Sequence, residues 1–330
     1  MKIIDDHGLI IALMEPTEAL DGPPYTLPPE VSIVRVPDPP REFRPRLMDA
    51  GFVCKPAWIS WRTEVADDEA TWLSRLPRSH AAAMRKARRL VQRDLELAWE
   101  RPVVAEHLDE FLALYREMIN GMEHGVNYAA ALRSDILANP GSFLVQARSK
   151  EGMVGSCVCR TDEEERSLVM RFPALSPGWR SHSLSRVLYL EVMELARAWG
   201  YPTMSLGRDP NLYGHITKSG LFEFKARRMG FVPHVTEAPF GLVPWHDEAD
   251  LVISAHALSE PALMLGYVDG LFDPKHPNTF TLEVYGTTDR FGDLAGLPFL
   301  QGFHRHSIEF SPPSTPTTPR NPGPSEGTCH

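Results

Sequence analysis

The spacing of apolar residues in the middle of the chain predicts two helices followed by three strands. Between residues 106 and 120 apolar side chains recur at the interval of one helix face, and a second helix is expected over 129–137, ended by Asn139-Pro140-Gly141. The next three segments, 143–147, 153–159 and 167–174, are joined by short charged turns. Such turns are typical of hairpins, so we predict an antiparallel three-stranded meander.

The pattern continues with alternating helices and strands on both sides of the meander. It predicts a helix over 184–199, a strand over 203–206, a helix over 212–228 and a strand over 231–236. Upstream it predicts strands at 9–14, 31–36, 57–65 and 95–100, a short helix at 41–50 and a basic helix at 72–91. Downstream, strands at 251–258, 279–285 and 307–310 and a helix at 261–271 are expected. The order within 95–236 predicts a mixed sheet with helices on both faces.

Composition narrows the class of protein. The 330 residues carry a net charge of −9, which argues against a general nucleic-acid binder. The sequence has no apolar run near 18 residues, which predicts no membrane span, and its N-terminus is a poor signal peptide. Four cysteines form no disulfide framework in a chain of this length, so we expect a cytoplasmic protein.

Three short motifs resemble the GNAT (Gcn5-related N-acetyltransferase) fold. Arg180-Ser181-His182-Ser183-Leu184-Ser185 matches the loop that precedes the third GNAT helix, with serines in place of small residues. The run Leu206-Gly207-Arg208-Asp209 ends the strand after that helix. Gly220-Leu221-Phe222-Glu223-Phe224-Lys225, followed by Gly230-Phe231, resembles the signature of Fem-type peptidyl transferases.

The resemblance implies a fold class and a division of the chain. We expect an α/β (α+β) GNAT fold with a mixed, mostly antiparallel central sheet flanked by helices. Residues 1–70 would be an N-terminal, partial GNAT-like subdomain, 71–238 the catalytic unit, 239–310 a C-terminal extension, and 311–330 a Pro-rich disordered tail.

The resemblance also implies where a donor would bind. Arg180 and the backbone amides of the next residues would hold the pyrophosphate of acyl-CoA or the phosphate of another phosphopantetheine-linked acyl donor; these residues are Ser181, His182, Ser183 and Leu184. The alternative is an ordinary helix start capped by Ser183. Backbone groups of the preceding strand, at Met170, Arg171 and Phe172, would face the reacting carbonyl.

Four polar residues are the candidates for catalysis. By resemblance Lys225 stabilises developing negative charge, and it would otherwise be a solvated lysine. His215 is a candidate general base or a surface histidine. Asp209 would orient His215, bind the acceptor amine or cap the next helix, and Tyr213 would serve as an acid or a substrate contact. Many acetyl-CoA enzymes of this fold carry a tyrosine acid where this chain has Ala226.

Two further groups are assigned to binding. His124 and Tyr128 lie in the loop where this fold usually recognises the acceptor. A run of basic residues without an acidic one lies near the start of the catalytic unit, and its candidates for docking an anionic donor are Arg85, Lys86, Arg88 and Arg89. A solvated helix face is the alternative. Cys157 and Cys159 are expected in the core, and no metal site is predicted.

The expected function is therefore an N-acyltransferase that forms an amide from a thioester, carried by CoA or an acyl carrier protein, and an amine of a small molecule or peptide. The negative net charge favours this donor. The basic run, Lys225 and Ala226 favour an alternative, an aminoacyl-tRNA-dependent Fem-like transferase. A second alternative is a non-catalytic GNAT-like binding or scaffold protein, because the Arg180 loop departs from the family pattern.

Overall fold

The structure of the chain is a computed structural model that describes residues 1–21, 27–122, 125–287 and 289–308. The strands are β1 Lys2–Asp6, β2 Leu9–Leu13, β3 Val31–Pro37, β4 Val53–Pro56, β5 Trp58–Glu64, β6 Glu96–Glu100, β7 Ser142–Ser149, β8 Gly152–Asp162, β9 Ser167–Leu175, β10 Thr203–Pro210, β11 Val232–Thr236, β12 Asp247–Val252, β13 Ala262–Tyr267, β14 Phe280–Tyr285 and β15 Leu300–His306. The tail predicted to be disordered, 311–330, lies outside the described residues.

Ten α-helices accompany the strands in the part of the chain just defined. They are α1 Pro16–Asp21, α2 Arg44–Asp49, α3 Glu69–Ser74, α4 Arg78–Asp94, α5 Ala105–Asn120, α6 Tyr128–Ala131, α7 Arg133–Ala138, α8 Pro177–Arg180, α9 Leu184–Ala198 and α10 Ser219–Glu223. A π-helical turn, Phe224–Arg228, extends α10, and 3₁₀ turns cover Pro239–Gly241 and Asp289–Gly296.

A seven-stranded sheet forms the centre of the fold, in the order β11-β5-β10-β9-β8-β7-β6. Every neighbouring pair is antiparallel except β9 and β10, which are parallel. The strands β7, β8 and β9 form the predicted meander. Alternation along them sends Phe143, Val145 and Ala147 into the core beneath α9, whereas Leu144 packs on the other side with α5. The predicted mixed, mostly antiparallel sheet with helices on both faces is confirmed.

Two smaller sheets complete the described structure. One has the order β1-β2-β3-β12-β4 and the other the order β13-β14-β15. The central sheet and the five-stranded sheet each join segments that the sequence analysis separated, because β5 of the N-terminal segment pairs between β10 and β11, and β12 of the C-terminal extension pairs between β3 and β4. The division into domains stays a proposal.

Several predicted elements are wrong, mostly after residue 206. The strand β10 continues to Pro210, and the helix expected over 212–228 begins only at Ser219. Tyr213 instead exchanges backbone hydrogen bonds with Leu263, at 2.8 and 2.7 Å. The same contact explains why the helix expected over 261–271 is a strand: residues 262–267 pair with β14, and their apolar side chains are buried on both faces.

The last two predicted strands are shifted. The strand expected over 251–258 is β12 and ends at Val252, and the strand expected over 307–310 is β15 and ends at His306. Residues 309 and 310 lie outside the described part of the chain.

Candidate functional site

The two parallel strands of the central sheet separate, and this opening organises the site. Their ladder consists of three pairs, the last of which joins Ser205 to Val169. A bulge follows in β10 between Ser205 and Arg208, and Gly207 within it has a φ of 78°. Beyond this point β9 remains paired with β8 and β10 with β5. The predicted donor-facing residues Met170, Arg171 and Phe172 therefore lie on β9 where its ladder with β10 has ended.

Three of the four catalytic candidates, Lys225, Asp209 and Tyr213, lie together at the end of β10, beyond the point where β9 and β10 separate. The Nζ atom of Lys225 lies 2.8 and 2.7 Å from the two carboxylate oxygens of Asp209. The Tyr213 hydroxyl donates to Asp209 Oδ2 at 2.9 Å. The side chains of Lys225, Asp209 and Tyr213 are 4%, 7% and 0% exposed, so this ion pair is shielded from water. Lys225 is thus not a solvated lysine.

Local structure explains how Lys225 reaches the sheet. The residue lies in the π-helical turn Phe224–Arg228, which adds one residue to the turn and ends the helix against Gly230, whose φ is 69°. Phe222 packs edge-on against Tyr213, with ring centroids 5.2 Å apart. The turn is therefore held over the end of β10, with the ammonium group facing Asp209.

The sequence analysis missed Trp61, the fourth member of this cluster. Its Nε1 atom donates to Asp209 Oδ2 at 3.0 Å and to the Tyr213 hydroxyl at 2.8 Å. Trp61 lies on β5, 148 residues before Asp209, so no local motif connects them. The alternation of apolar and polar residues along 57–65 would have predicted that Trp61 is buried. It would not have identified Asp209 as the residue that Trp61 contacts.

The electrostatics of the cluster assign roles to its groups. Burial, and then the charge of Asp209, raise the pKa of Tyr213 well above its usual range. The phenol therefore keeps its proton and acts as a hydrogen-bond donor rather than a base. Asp209 accepts from Trp61, Tyr213 and Lys225, so both of its carboxylate oxygens are occupied within the cluster.

His215 is placed away from this cluster. Its Nε2 atom donates to the backbone carbonyl of Asp6 at 2.6 Å, and the residue is 4% exposed. Asp209 lies within a strand and caps no helix, because α10 has Lys218 as its N-cap residue. The role of His215 as a general base stays a prediction.

The turn before α9 carries the predicted phosphate-binding residues. Ser183 is the N-cap residue of α9 with a φ of 61°, but its side chain makes no capping hydrogen bond. The amides of His182 and Ser183 donate to the carbonyls of Trp179 and Arg180 at 3.2 and 3.3 Å, so they are engaged within the turn. The amide of Leu184 begins the helix, where N–H groups lack intrahelical partners, and Arg180 and Ser181 are exposed.

Basic side chains collect around the first turn of α9. The pKa of Arg186 is lowered by partial burial and by Arg228. Burial, Arg186, Arg227 and Arg228 likewise lower the pKa of His80 near the start of α4. Arg227 and Arg228 are paired with Asp293 and Glu223, at 2.5 and 2.9 Å, whereas Arg180 is exposed and Arg186 is half-buried at the first turn of α9.

The donor-docking candidates on α4 divide into two kinds. Arg88 contacts Glu191 and Glu194 of α9 and also Glu69, so its charge is neutralised within the protein. Arg85, Lys86 and Arg89 are exposed. The pairing of Arg88 with Glu191, and the proximity of His80 to Arg186, place the first turns of α4 and α9 at the same end.

The predicted acceptor residues lie on the opposite face of the sheet, as far as the structure describes them. Tyr128 begins α6 and is 41% exposed; its hydroxyl is close enough to Tyr115 of α5 to raise the pKa of that buried phenol, after burial itself. Tyr115 in turn contacts Phe172 of β9, with centroids 5.8 Å apart. His124 lies outside the described residues.

The described residues contain neither a metal-binding cluster nor a membrane-spanning helix. No three histidine, cysteine, aspartate or glutamate side chains among them are arranged to hold a metal ion. No helix in the same ranges has the length and apolarity to cross a membrane. Cys157 and Cys159 are buried in the core, as predicted.

Residues 96–236 contain a strand, helices, the three-stranded meander, a helix, a strand, a helix and a last strand. This is the order on which the resemblance rested, and the parallel pair β9–β10 separates within it. The chain has a GNAT-like fold.

Solved structures with related folds include transferases. FemX is 13% identical, with 68% of this chain and 73% of that chain covered and a TM-score of 0.42. L-PGS from Bacillus licheniformis is 16% identical at a TM-score of 0.36; 54% of this chain is covered, and the chain spans 53% of the length of that protein. A putative GNAT acetyltransferase from Desulfovibrio desulfuricans is 18% identical, with 48% and 100% covered and a TM-score of 0.35.

The similarities end at the level of the fold. No family model matches the sequence. The search of curated proteins likewise gave no match. Any activity must therefore be argued from the residues of this chain.

Proposed function

We propose that the protein is an N-acyltransferase that transfers an acyl group from a phosphopantetheine thioester, either acyl-CoA or an acyl carrier protein, to an amine of a small molecule or peptide. The observation that supports this most directly is the opening between β9 and β10. It has the basic first turn of α9 on one side and the buried Lys225–Asp209 pair at its far end. Donor and acceptor would approach from opposite faces of the sheet and meet there.

The chemistry needs groups that stabilise a tetrahedral oxyanion. In the proposed reaction the neutral amine attacks the thioester carbon, the carbon–sulfur bond breaks, and the amine proton passes to the thiolate or to water. Two N–H groups of Lys225 face Asp209, which leaves the third to donate to negative charge on the carbonyl oxygen. Tyr213 keeps its proton and supports the position of Asp209.

The bound donor would supply the activated carbonyl. Arg180, Arg186 and the leading amides of α9 would hold its diphosphate. The partial burial of Arg186 supports this assignment, because a half-buried guanidinium favours a counter-charge beside it; the neighbouring Arg228 is already paired with Glu223 at 2.9 Å.

A second candidate donor is an aminoacyl-tRNA. It is favoured by the exposed side chains of Arg85, Lys86 and Arg89 on α4, which extend the positive surface beyond the reach of a single diphosphate. The transfer would be the same, except that an ester oxygen rather than a sulfur atom leaves the carbonyl carbon.

A donor comparison tests the proposal. The protein is incubated with radiolabelled acetyl-CoA, an acetylated carrier protein or total aminoacyl-tRNA, each with the same mixture of amines and amino acids, and amide products are separated by chromatography. We expect label to appear in an amide from a thioester donor. Product from charged tRNA alone would select the second candidate, and no product from any donor would contradict transferase activity.

Charge-reversal variants separate the two donors. Exchanging Arg85 and Arg89 for glutamate should weaken binding of tRNA by at least about tenfold and leave CoA binding unchanged, because only a long polyanion reaches α4. Arg186→Gln should weaken the binding of CoA. Arg46→Gln, at an exposed arginine on α2, serves as the matched control for both.

A further inference from the structure

A buried phenol on α9 has no role in the site described so far. Tyr189 is 6% exposed, and its side chain packs in the core between α9 and the central sheet. Its hydroxyl makes no hydrogen bond with the described residues. Buried hydroxyl groups nearly always have a partner, because desolvating one without a new bond is costly. The hydroxyl of Tyr189 is therefore a candidate for binding a group of the substrate.

The surroundings of this hydroxyl place it beneath the opening between β9 and β10. Burial raises the pKa of Tyr189 well above its usual range, and three nearby groups raise it further: Cys157, Asp209 and Cys159. The two cysteines belong to β8 and Asp209 to β10, and β9 lies between these strands. Cys159 is opposite Met170, the first residue of β9 after its ladder with β10 has ended. The phenol therefore lies where the two strands separate.

A ring contact joins Tyr189 to the turn that carries Lys225. The ring of Tyr189 packs edge-on against Phe224, with centroids 5.5 Å apart. Phe224 begins the π-helical turn and directly precedes Lys225. Because Tyr189 and Lys225 both lie near Asp209, the phenol and the buried ion pair face the opening from the same side of the sheet.

The position of Tyr189 along α9 relates it to the proposed phosphate-binding turn. Leu184 begins the helix, and Tyr189 follows five residues later, which corresponds to about 7.5 Å along the helix axis. The same helix would thus contact the donor twice. Its leading amides would bind the phosphate, and the hydroxyl of Tyr189 would face the thioester further inside.

We propose that Tyr189 is a catalytic residue whose hydroxyl donates a hydrogen bond to the sulfur atom of the thioester donor. This inference rests on the proposed function and adds a group that acts on the leaving atom. The amine nitrogen bonds to the carbonyl carbon, the carbon–sulfur bond breaks, and its electron pair passes to sulfur. Tyr189 keeps its proton, since its pKa lies far above that of a thiol, and it stabilises the thiolate as a hydrogen-bond donor.

A matched control exists in another part of the molecule. Tyr285 of β14 is also a buried phenol, 3% exposed, and its hydroxyl makes no hydrogen bond with the described residues. It lies in the three-stranded sheet and packs with a different cluster of apolar residues. Tyr285→Phe therefore removes the same hydroxyl from a similar environment outside the site.

The titration of bound CoA tests the contact without any transfer. Ultraviolet difference spectra follow the formation of thiolate with pH, and the same titration with desulfo-CoA, which lacks the thiol, is subtracted. A hydrogen bond to the thiolate lowers the pKa of the bound thiol, so this pKa should rise by at least about one pH unit in Tyr189→Phe. It should not change in Tyr285→Phe. An equal thiol pKa in the wild type and Tyr189→Phe would overturn the contact.

Stability and rate distinguish catalysis from a structural role. The free energy of unfolding, measured with urea, should not fall in Tyr189→Phe, because the free protein loses no hydrogen bond. The kcat for amide formation should fall at least about tenfold, with the KM for the amine unchanged. A loss of stability with full activity per folded molecule would show that the hydroxyl is structural and would overturn the proposal.

The outcomes separate this inference from the proposed function. A thiol pKa that does not depend on Tyr189, in an enzyme that transfers acyl groups, would contradict the contact alone. A thiol pKa that depends on Tyr189, together with no amide from any donor, would contradict the reaction but not the contact. If the wild type binds no CoA, both the contact and the thioester donor are contradicted.

Discussion

Two lysines of this chain are buried against aspartates, and their surroundings differ. Lys55 lies on β4, with its Nζ atom 3.1 Å from Asp250 and 2.5 Å from Glu248. Arg35 of β3 contacts the same two carboxylates, at 2.7 and 2.9 Å. In this cluster two cations and two carboxylates neutralise one another within the five-stranded sheet.

Lys225 has fewer charged neighbours than Lys55 in the described structure. Within the described ranges it is paired with Asp209, and the other partners of that carboxylate, Trp61 and Tyr213, are neutral donors. The pair lies beside the separation of two strands, whereas the Lys55 cluster lies within a continuous ladder.

The difference teaches how a structural charge differs from a candidate for catalysis. Burial alone does not distinguish the two lysines, since Lys55 is 0% and Lys225 is 4% exposed. The number of counter-charges and the neighbouring strand geometry do. Lys55 contacts two carboxylates, whereas Lys225 contacts the single carboxylate of Asp209.

The largest effect is expected from breaking the Lys55 cluster. Asp250→Ala leaves Arg35 and Lys55 buried with one carboxylate, so the free energy of unfolding should fall by about 3–5 kcal/mol. Urea denaturation measures it. Asp94→Ala, at the exposed pair with Arg93, is the control and should leave the free energy of unfolding nearly unchanged. A loss below about 1 kcal/mol in Asp250→Ala would contradict the structural role.

The second prediction concerns activity. Lys225→Met should lower the rate of amide formation by about 10²–10³-fold, the usual loss when a donor to an oxyanion is removed. Lys55→Met should leave the rate per folded molecule unchanged. Since Lys225→Met also leaves Asp209 unpaired, the double variant Lys225→Met/Asp209→Asn is needed. If this folded double variant is fully active, the pair is structural and the contrast between the two lysines is lost.

A smaller loss is expected from Tyr213→Phe, which removes one hydroxyl without changing the shape of the side chain. The change deletes the bond to Asp209 and the bond that the hydroxyl accepts from Trp61, but it leaves the bond from Trp61 to the carboxylate of Asp209. The free energy of unfolding should fall by about 1 kcal/mol. Tyr115→Phe is the matched control, because its buried hydroxyl makes no hydrogen bond with the described residues. Equal losses in both variants would show that the Asp209 bond contributes nothing.

The last prediction is a dependence of stability on pH. His234 has a folded-state pKa of about 4, below its unfolded value of about 6.5, so only the unfolded chain takes up this proton between the two values. The contribution of His234 is complete above pH 6.5 and is lost as the pH falls towards 4. Urea denaturation between pH 7 and 4.5 should show a shallower decline in His234→Gln. Asp250 stays ionised in this range, because Arg35 and Lys55 hold its pKa low against burial.

An unchanged pH profile in His234→Gln would contradict the lowered pKa of His234, whose causes are burial and then the charge of Arg62.

Local patterns were sufficient for the part of the fold that is built from neighbours in sequence. The periodicity of α5 and α9 and the alternation in the meander each reflect burial of one face, so they could be read from residues a few positions apart. The pairing of Lys225 with Asp209 was not predicted, although both residues were named as candidates. The strand was predicted to end at residue 206, before Asp209, because the full extent of β10 depends on its pairing with β5.

The sequence by itself determined the order of the elements, the buried positions of the meander and the residue types available for chemistry. Only the tertiary structure decided that Trp61 completes the Asp209 cluster and that β12 supplies Asp250 to Lys55. The physical reason is that periodicity records whether a side chain is buried, whereas its partners depend on sheet order and register. Those are fixed by contacts between segments far apart in the chain.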